Sequence, residues 1–254
     1  MGYTKVVKSG DIIEIYEYSK DLPQRRQRQI KKGPRIRISA SRRADNVARL
    51  KRNFIRLVRS NLGGVECPSF LTLTMVEVVR VEVAYGFFTE FISRLRRFYG
   101  AHIRYITVPE FQERGAVHFH ILIWGLSKET IENETPKKQI IEGVVFEKRG
   151  SRAIQSLWGR GYVDCIPTDG SPKLAFYVAK YMQKALQDDR LRGQKAYTCS
   201  RNVLRKVSIP SSSAITHSEM IFGLDLSTAV PLQEKNFDTY WLGKGRYRLF
   251  NIKP

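Results

Sequence analysis

Histidine is scarce in this chain, four in 254 residues, yet two of the four, His118 and His120, stand two apart in the apolar run Val117 to Trp124. On a strand that spacing puts both imidazoles on one face and leaves Phe119, Ile121 and Ile123 on the other as core. Two neutral imidazoles side by side offer lone pairs to one cation. A third donor is available in Glu110, at the end of the preceding strand, where hairpin pairing could bring its carboxylate beside the rings. Two nitrogens and one oxygen, with positions left open, suit a divalent ion acting as Lewis acid on a phosphate better than a closed structural zinc. Mg²⁺ and Mn²⁺ both suit such a set.

The second chemical group is Tyr177-Val178-Ala179-Lys180-Tyr181. Four residues advance a helix by about 400°, so Tyr177 and Tyr181 project about 40° apart on neighbouring turns. Lys180 is a near neighbour of Tyr177 at i+3. A phenol of pKa about 10 is a poor nucleophile at neutral pH, but a nearby ammonium and a metal-polarised phosphate both favour phenolate attack. Taken singly, a His-x-His pair and helical tyrosines are commonplace packing features. Their weight comes from occurring with Glu110 in one strongly basic chain.

Stepping out from these residues, hydropathy periods predict the elements that carry them. Tyr3 to Ser19 alternate around Ser9-Gly10-Asp11, the composition of a hairpin. From Ser41 to Asn61, Val47, Leu50, Phe54, Ile55, Leu57 and Val58 recur at helical spacing between arginines, so one amphipathic helix is expected, ending near Gly63-Gly64. Ser69 to Val76 reads as a strand, and Tyr85 to Tyr99 as a helix whose face is Phe87, Phe88, Phe91, Ile92, Leu95 and Phe98. His102 to Pro109 and Val117 to Trp124 are strands flanking the turn Gln112-Glu113-Arg114-Gly115. The polar stretch Ser127 to Gly150 is expected as a loop with a short helix inside it. A strand at Gly161 to Ile166 precedes a turn at Asp169 to Pro172 and a helix from Lys173 to Asp188, the one bearing the tyrosines. The tail beyond Arg201 has weak strand signals near Trp241 and Tyr247.

Charge names the partner. Lys and Arg number 44 against 24 Asp and Glu, a net +20 whose field reaches beyond a Debye length. It is uneven: Leu22 to Ser60 holds 14 basic residues and the single acid Asp45. Arg42, Arg43, Arg49, Arg52, Arg56 and Arg59 in this block, with Lys184 on the tyrosine helix, are the candidate phosphate contacts. A solubilising face would be served by mixed charges or acids, and a membrane-surface helix would need more apolar anchors. No apolar run approaches a membrane span, and the N-terminus has neither a secretion signal nor a myristoylation signal, so a cytosolic location is expected. Cys67, Cys165 and Cys199 lack metal-ligand spacing and are expected as free, buried thiols.

FLTLTM at Phe70 to Met75, HFH at His118 to His120 with upstream Glu110, and YVAKY at Tyr177 to Tyr181 together resemble, in order, the three motifs of the HUH endonucleases. More narrowly, they resemble the rolling-circle replication initiator (Rep) proteins of single-stranded DNA phages and plasmids. WGRGYVDC at Trp158 to Cys165 also looks typical, and the likeness spans Pro68 to Ala185. It implies an α+β fold, RRM- or ferredoxin-like, with an antiparallel sheet of about five strands, helices packed on one face, the metal on the other and the tyrosine helix nearby. The chain would then divide into a basic N-terminal segment (1–62), the endonuclease core (63–200) and a C-terminal extension (201–254). The resemblance also implies an activity: strand-specific nicking and joining of single-stranded origin DNA through a 5′-phosphotyrosine link. Tyr177 would be the nucleophile, Lys180 the motif lysine and Tyr181 the alternate nucleophile. No Gly-x-x-x-x-Gly-Lys-[Ser/Thr] loop occurs, so unwinding is expected from a host helicase and extension from a host DNA polymerase, in the cytoplasm of a bacterial cell. Within the superfamily a relaxase would carry its tyrosine ahead of the histidines, and a minimal transposase would lack the long basic segment. From another class, a non-catalytic single-stranded nucleic-acid-binding module would need the basic block but not Glu110, His118 and His120 together with tyrosines.

Overall fold

The computed structural model describes residues 2–22, 40–64, 66–126, 137–141, 144–148, 152–191, 193–210, 225, 228–240 and 242–252, with the side chains of 40–44, 137–141, 144–148 and 209–210 excepted. In chain order the elements are β1 (Thr4–Ser9), β2 (Ile12–Tyr18), α1 (Ala40–Arg59), β3 (Ser69–Thr74), α2 (Val81–Tyr99), β4 (Arg104–Phe111), β5 (Val117–Trp124), β6 (Lys137–Ile141) and β7 (Val144–Lys148). They continue as α3 (Arg152–Trp158), β8 (Val163–Pro167), α4 (Lys173–Gln187), a 3₁₀ turn (Asp189–Leu191), β9 (Thr198–Cys199), β10 (Val207–Pro210), β11 (Gln233–Thr239) and β12 (Gly243–Asn251). The fold is α+β. Among the described residues no helix is long and apolar enough to cross a membrane.

Two compact units emerge, 1–46 with 204–254, and 47–203. This partition differs from cuts at 62 and 200: the N-terminal hairpin and the C-terminal strands share one antiparallel sheet, ordered β10-β1-β2-β12-β11, around Val6, Ile13, Ile15 and Phe250. The arginine-rich α1, from Val47 onward, belongs with the other unit.

In that second unit the sheet order is β8-β3-β5-β4-β9, every pair antiparallel, with β5 at the centre. Strand period two divides its residues cleanly. Leu71 and Leu73 of β3, Phe119, Ile121 and Ile123 of β5, and Val163 and Cys165 of β8 fill one face beneath Ala84, Phe88, Phe91 and Leu95 of α2 and Ile154 and Trp158 of α3. As expected, this is the helix-covered face. The opposite face is half apolar and half polar. Phe70, Ile106, Val108, Leu122 and Trp124 pack under Phe54 and Val58 of α1 and Val178, Ala179 and Met182 of α4, so helices also close part of the second face. Ala175, Ala179 and Ala185 on the buried side of α4 are small enough to let the helix approach the sheet. Where the apolar half stops, Thr72, Thr74, Glu110, His118 and His120 begin.

Two local devices fix the register. Gly115, at φ 88°, closes the β4–β5 turn, where Gln112 N–H donates to the Ala116 carbonyl at 2.9 Å. Gly161, at φ 150°, brings the chain against the end of β3, where a Cβ would strike the Thr74 carbonyl oxygen. The adjoining Trp158 indole donates to the same carbonyl at 2.9 Å.

The expectation of a short helix within 127–150 is corrected for its described part, where β6 and β7 pair as an antiparallel hairpin. Their sequences, KKQII and VVFEK, are β-rich runs across a two-residue link, a signal that the surrounding polar composition hid. Helix α2 begins at Val81, one turn before the expected Tyr85, because Val81 and Ala84 extend the buried stripe backward. None of the three described cysteines is in a disulfide, but only Cys165 is buried. Cys67, in the segment before β3, is exposed, and Cys199, at the end of the two-residue β9, is partly so.

Candidate active site

Antiparallel pairing places Glu110 opposite His118 and Val108 opposite His120 between β4 and β5, while Thr74 and Thr72 face the two histidines from β3. All six residues therefore lie on one face of three adjacent strands. Glu110 Oε2 is 2.6 Å from His120 Nε2, and its Oε1 accepts a 2.7 Å hydrogen bond from Lys184 Nζ on α4. Thr72 Oγ1 lies 3.5 Å from His120 Nδ1. The ionised Glu110 carboxylate can only accept, so His120 carries its proton on Nε2 and leaves Nδ1 facing the Thr72 hydroxyl.

The phenols sit against this imidazole. The Tyr181 ring stacks on His120 with centroids 3.8 Å apart and planes 26° from parallel. Its hydroxyl shares a 2.8 Å hydrogen bond with that of Tyr177. Phe70 backs the group, stacked with His120 at 5.8 Å and edge-on to Tyr177 at 5.5 Å. Tyr181 is half-buried, whereas Tyr177 is 44% exposed.

Electrostatics follow from burial and partners. Burial pushes the His118 imidazole down to about 4, helped by the neighbouring His120 and Arg114 and opposed by Glu110. His120 is lowered by burial, against the hydrogen bond and charge of Glu110. Both rings are neutral at pH 7, the state in which imidazole nitrogen donates a lone pair. Burial raises Glu110, but the hydrogen bonds from Lys184 and His120 more than reverse it, so its carboxyl lies below the ordinary range. Tyr181 is raised by burial first, then by the Tyr177 hydrogen bond and the Glu110 charge.

In donor type these residues fit a divalent cation. His118 Nε2 is buried with no hydrogen-bond partner, the kind of orphan a cation would satisfy. The Glu110 carboxylate, however, is already engaged by His120 and Lys184. Among the described residues no three His, Cys, Asp or Glu side chains converge as a metal-holding group. An open hollow of about 670 Å³ adjoins the site, lined by Phe111 and by polar residues that include Glu110, Arg114, His118 and Lys184.

Among the sequence candidates, the structure brings together Glu110, His118, His120, Tyr177, Tyr181 and Lys184. Lys180 lies exposed on α4, and it is Lys184 that reaches the Glu110 carboxylate. The arginines divide. Arg49 and Arg52 are exposed, Arg56 is 7% exposed and so withdrawn from solvent, and Arg59 lies over the Phe176 ring at 4.8 Å. The side chains of Arg42 and Arg43 lie outside the described residues.

Sequence reasoning passed over Phe70 and Thr72 as site residues, although their i, i+2 spacing in FLTLTM puts them on one strand face. It also passed over Arg114, whose guanidinium donates to the Met75 carbonyl and, at 2.6 Å, to that of Val76, tying the β4–β5 turn to the end of β3.

A carboxylate, two imidazoles and two phenols on one sheet face, beneath a helix with three exposed lysines and no acid, define a class of protein equipped to handle an anionic ligand. Residues 68–186 match the family described as replication-associated protein ORF2/G2P, an interval that holds every one of these groups. That match makes this part of the chain similar to a replication-associated family. No curated protein and no solved structure matches the chain.

Proposed function

We propose that this chain is a rolling-circle replication initiator, an HUH-type endonuclease that nicks and rejoins single-stranded DNA. The reading rests on one observation: the Tyr181 ring lies on His120 while its hydroxyl holds that of Tyr177, so an exposed phenol from α4 stands over the histidine-carboxylate face.

In this reading Tyr177 Oη attacks a backbone phosphorus, the phosphorus–O3′ bond breaks, and the phenolic proton is lost. A 5′-phosphotyrosine and a free 3′-hydroxyl result once the departing oxygen takes up a proton. The link retains the energy of the broken ester, so a later attack by a 3′-hydroxyl rejoins the strand. Glu110, His118 and His120 are the residues that would hold Mg²⁺ or Mn²⁺, whose chemistry here is Lewis-acid polarisation of the phosphate. Tyr181 holds the His120 ring in orientation and the Tyr177 hydroxyl directed, and serves as alternate nucleophile. The 3′-hydroxyl primes a host DNA polymerase behind a host helicase, in the cytoplasm of a bacterial cell.

The test is adduct formation. Purified protein with Mn²⁺ and a single-stranded substrate should yield a covalent protein–DNA species on a denaturing gel, absent from the Tyr177→Phe, Tyr181→Phe double variant. An undiminished adduct in that variant refutes the assignment. One observation favours a second reading, a non-catalytic strand-binding module: Glu110 is already closed on His120 and Lys184. Such a module binds single strands equally well in wild type and double variant and forms no adduct in either.

A further inference from the structure

Helix α4 presents more to solvent than its tyrosines. Lys173, Phe176, Tyr177, Lys180 and Lys184 are all exposed, and at about 100° per residue they fall within roughly 100° of the helix circumference. The helix, KLAFYVAKYMQKALQ, contains no acid. Its buried side is complete without Phe176: Ala175, Val178, Ala179, Met182 and Ala185 fill the core, and Phe176 belongs to no core cluster. Phe176 is instead 50% exposed, immediately before Tyr177, with the Arg59 guanidinium 4.8 Å from the ring centroid. Arg59, on a separate helix, braces the ring and brings positive charge beside it.

An exposed aromatic ring, braced by a guanidinium and flanked on its helix by Lys173 and Lys180, with Lys184 already paired to Glu110, has the chemistry that single strands recognise. Phosphates follow the cations, and an unpaired base lies on the ring. Duplex DNA keeps its bases stacked on one another and has none to offer. We propose that Phe176, supported by Arg59, is a stacking platform for an unpaired base of the strand entering the site, and so favours single strands next to the scissile phosphate. This rests on the reading above. Because the contact is to a π-face, it is tolerant of sequence, and base-specific selection resides elsewhere.

The test compares two strands that share phosphates and differ in bases, fluorescent oligothymidylate and an abasic strand of equal length, about 20 nucleotides each. By fluorescence anisotropy the wild type should bind oligothymidylate more tightly than the abasic strand. Phe176→Ala should weaken oligothymidylate binding by about 5- to 100-fold and leave abasic binding within about 2-fold. Phe176→Trp should restore the preference, which separates stacking from a folding defect. Equal loss on both strands, no loss on either, or no base preference in the wild type overturns the platform. A change in oligomeric state with unchanged base preference overturns it too, in favour of a protein-docking patch. If the wild type forms the adduct while these results go against Phe176, only the platform fails. If it binds neither strand and forms no adduct, the initiator reading fails first.

Discussion

Substituting Tyr181 by phenylalanine separates what its ring does from what its hydroxyl does. The ring stacked on His120 at 3.8 Å survives the change, so the imidazole keeps its support, while the 2.8 Å hydrogen bond to Tyr177 is lost. A neutral hydrogen bond contributes about 0.5–1.5 kcal/mol, so if its role is to direct the Tyr177 hydroxyl, the first cleavage should slow by about 2- to 10-fold. Tyr181→Ala also removes the stack and leaves His120 free to leave its plane, so its loss should be larger. Burial raises the Tyr181 phenol, and Tyr177 is the more exposed of the two rings, so Tyr177 should be the residue joined to DNA in the first turnover. Single-turnover adduct formation with Mn²⁺, followed by peptide mapping of the attached tyrosine, measures both quantities. The reasoning is refuted if Tyr181→Phe eliminates the adduct while Tyr177→Phe preserves it, because Tyr181 would then be the first nucleophile.

Three further outcomes follow from the same geometry. Arg49→Gln with Arg52→Gln should weaken strand binding and reduce the slope of log affinity against log salt by roughly 0.7 per charge, whereas Arg56→Gln, at a buried position, should lower the melting temperature instead. A slope unmoved by the double variant returns that helix to a solubilising role. Lys184→Met frees Glu110 Oε1, so Mn²⁺ affinity measured by electron paramagnetic resonance should rise by several-fold, and a fall would make the ammonium a helper of the cation rather than its competitor. Cys165 is buried with its thiol pushed up to about 12 while Cys67 is exposed, so iodoacetamide at about pH 8 should label Cys67 and spare Cys165. The same proton is released by the unfolded chain near the ordinary value of 9.0 and kept by the folded one, so urea-unfolding stability should fall as pH rises through that window. Equal labelling of Cys165 and Cys67 in native protein contradicts the burial.

The histidine strand was legible because its alternation sets both imidazoles on one face. In HFHI the imidazoles alternate with Phe119 and Ile121, and only one register buries those two while leaving His118 and His120 on the other face. The tyrosine helix was legible for the same reason at period 3.6. What eluded the sequence was long-range. Arg56 and Arg59 look like Arg49 and Arg52 on a helical wheel, but the angle at which α1 meets the sheet withdraws one guanidinium and lays the other on Phe176. Lys180 is nearer to Tyr177 in sequence, yet Lys184, seven residues on and almost two helical turns along, is the lysine that reaches Glu110.

Composition and periodicity by themselves determined that this chain folds as strands and helices around an apolar core, carries charge suited to a polyanion, and sets its imidazoles and its phenols each on a single face. These are properties of local spacing, and local spacing is written in the chain. Only the tertiary structure decided which of those faces meet. The packing of α4 on the sheet, with its alanines in the shared core, seats Tyr181 on His120, and pairing across a sheet joins the first eighteen residues to the last strands. Contacts between segments far apart in sequence depend on packing distances and crossing angles, which side-chain volume sets and sequence order does not record.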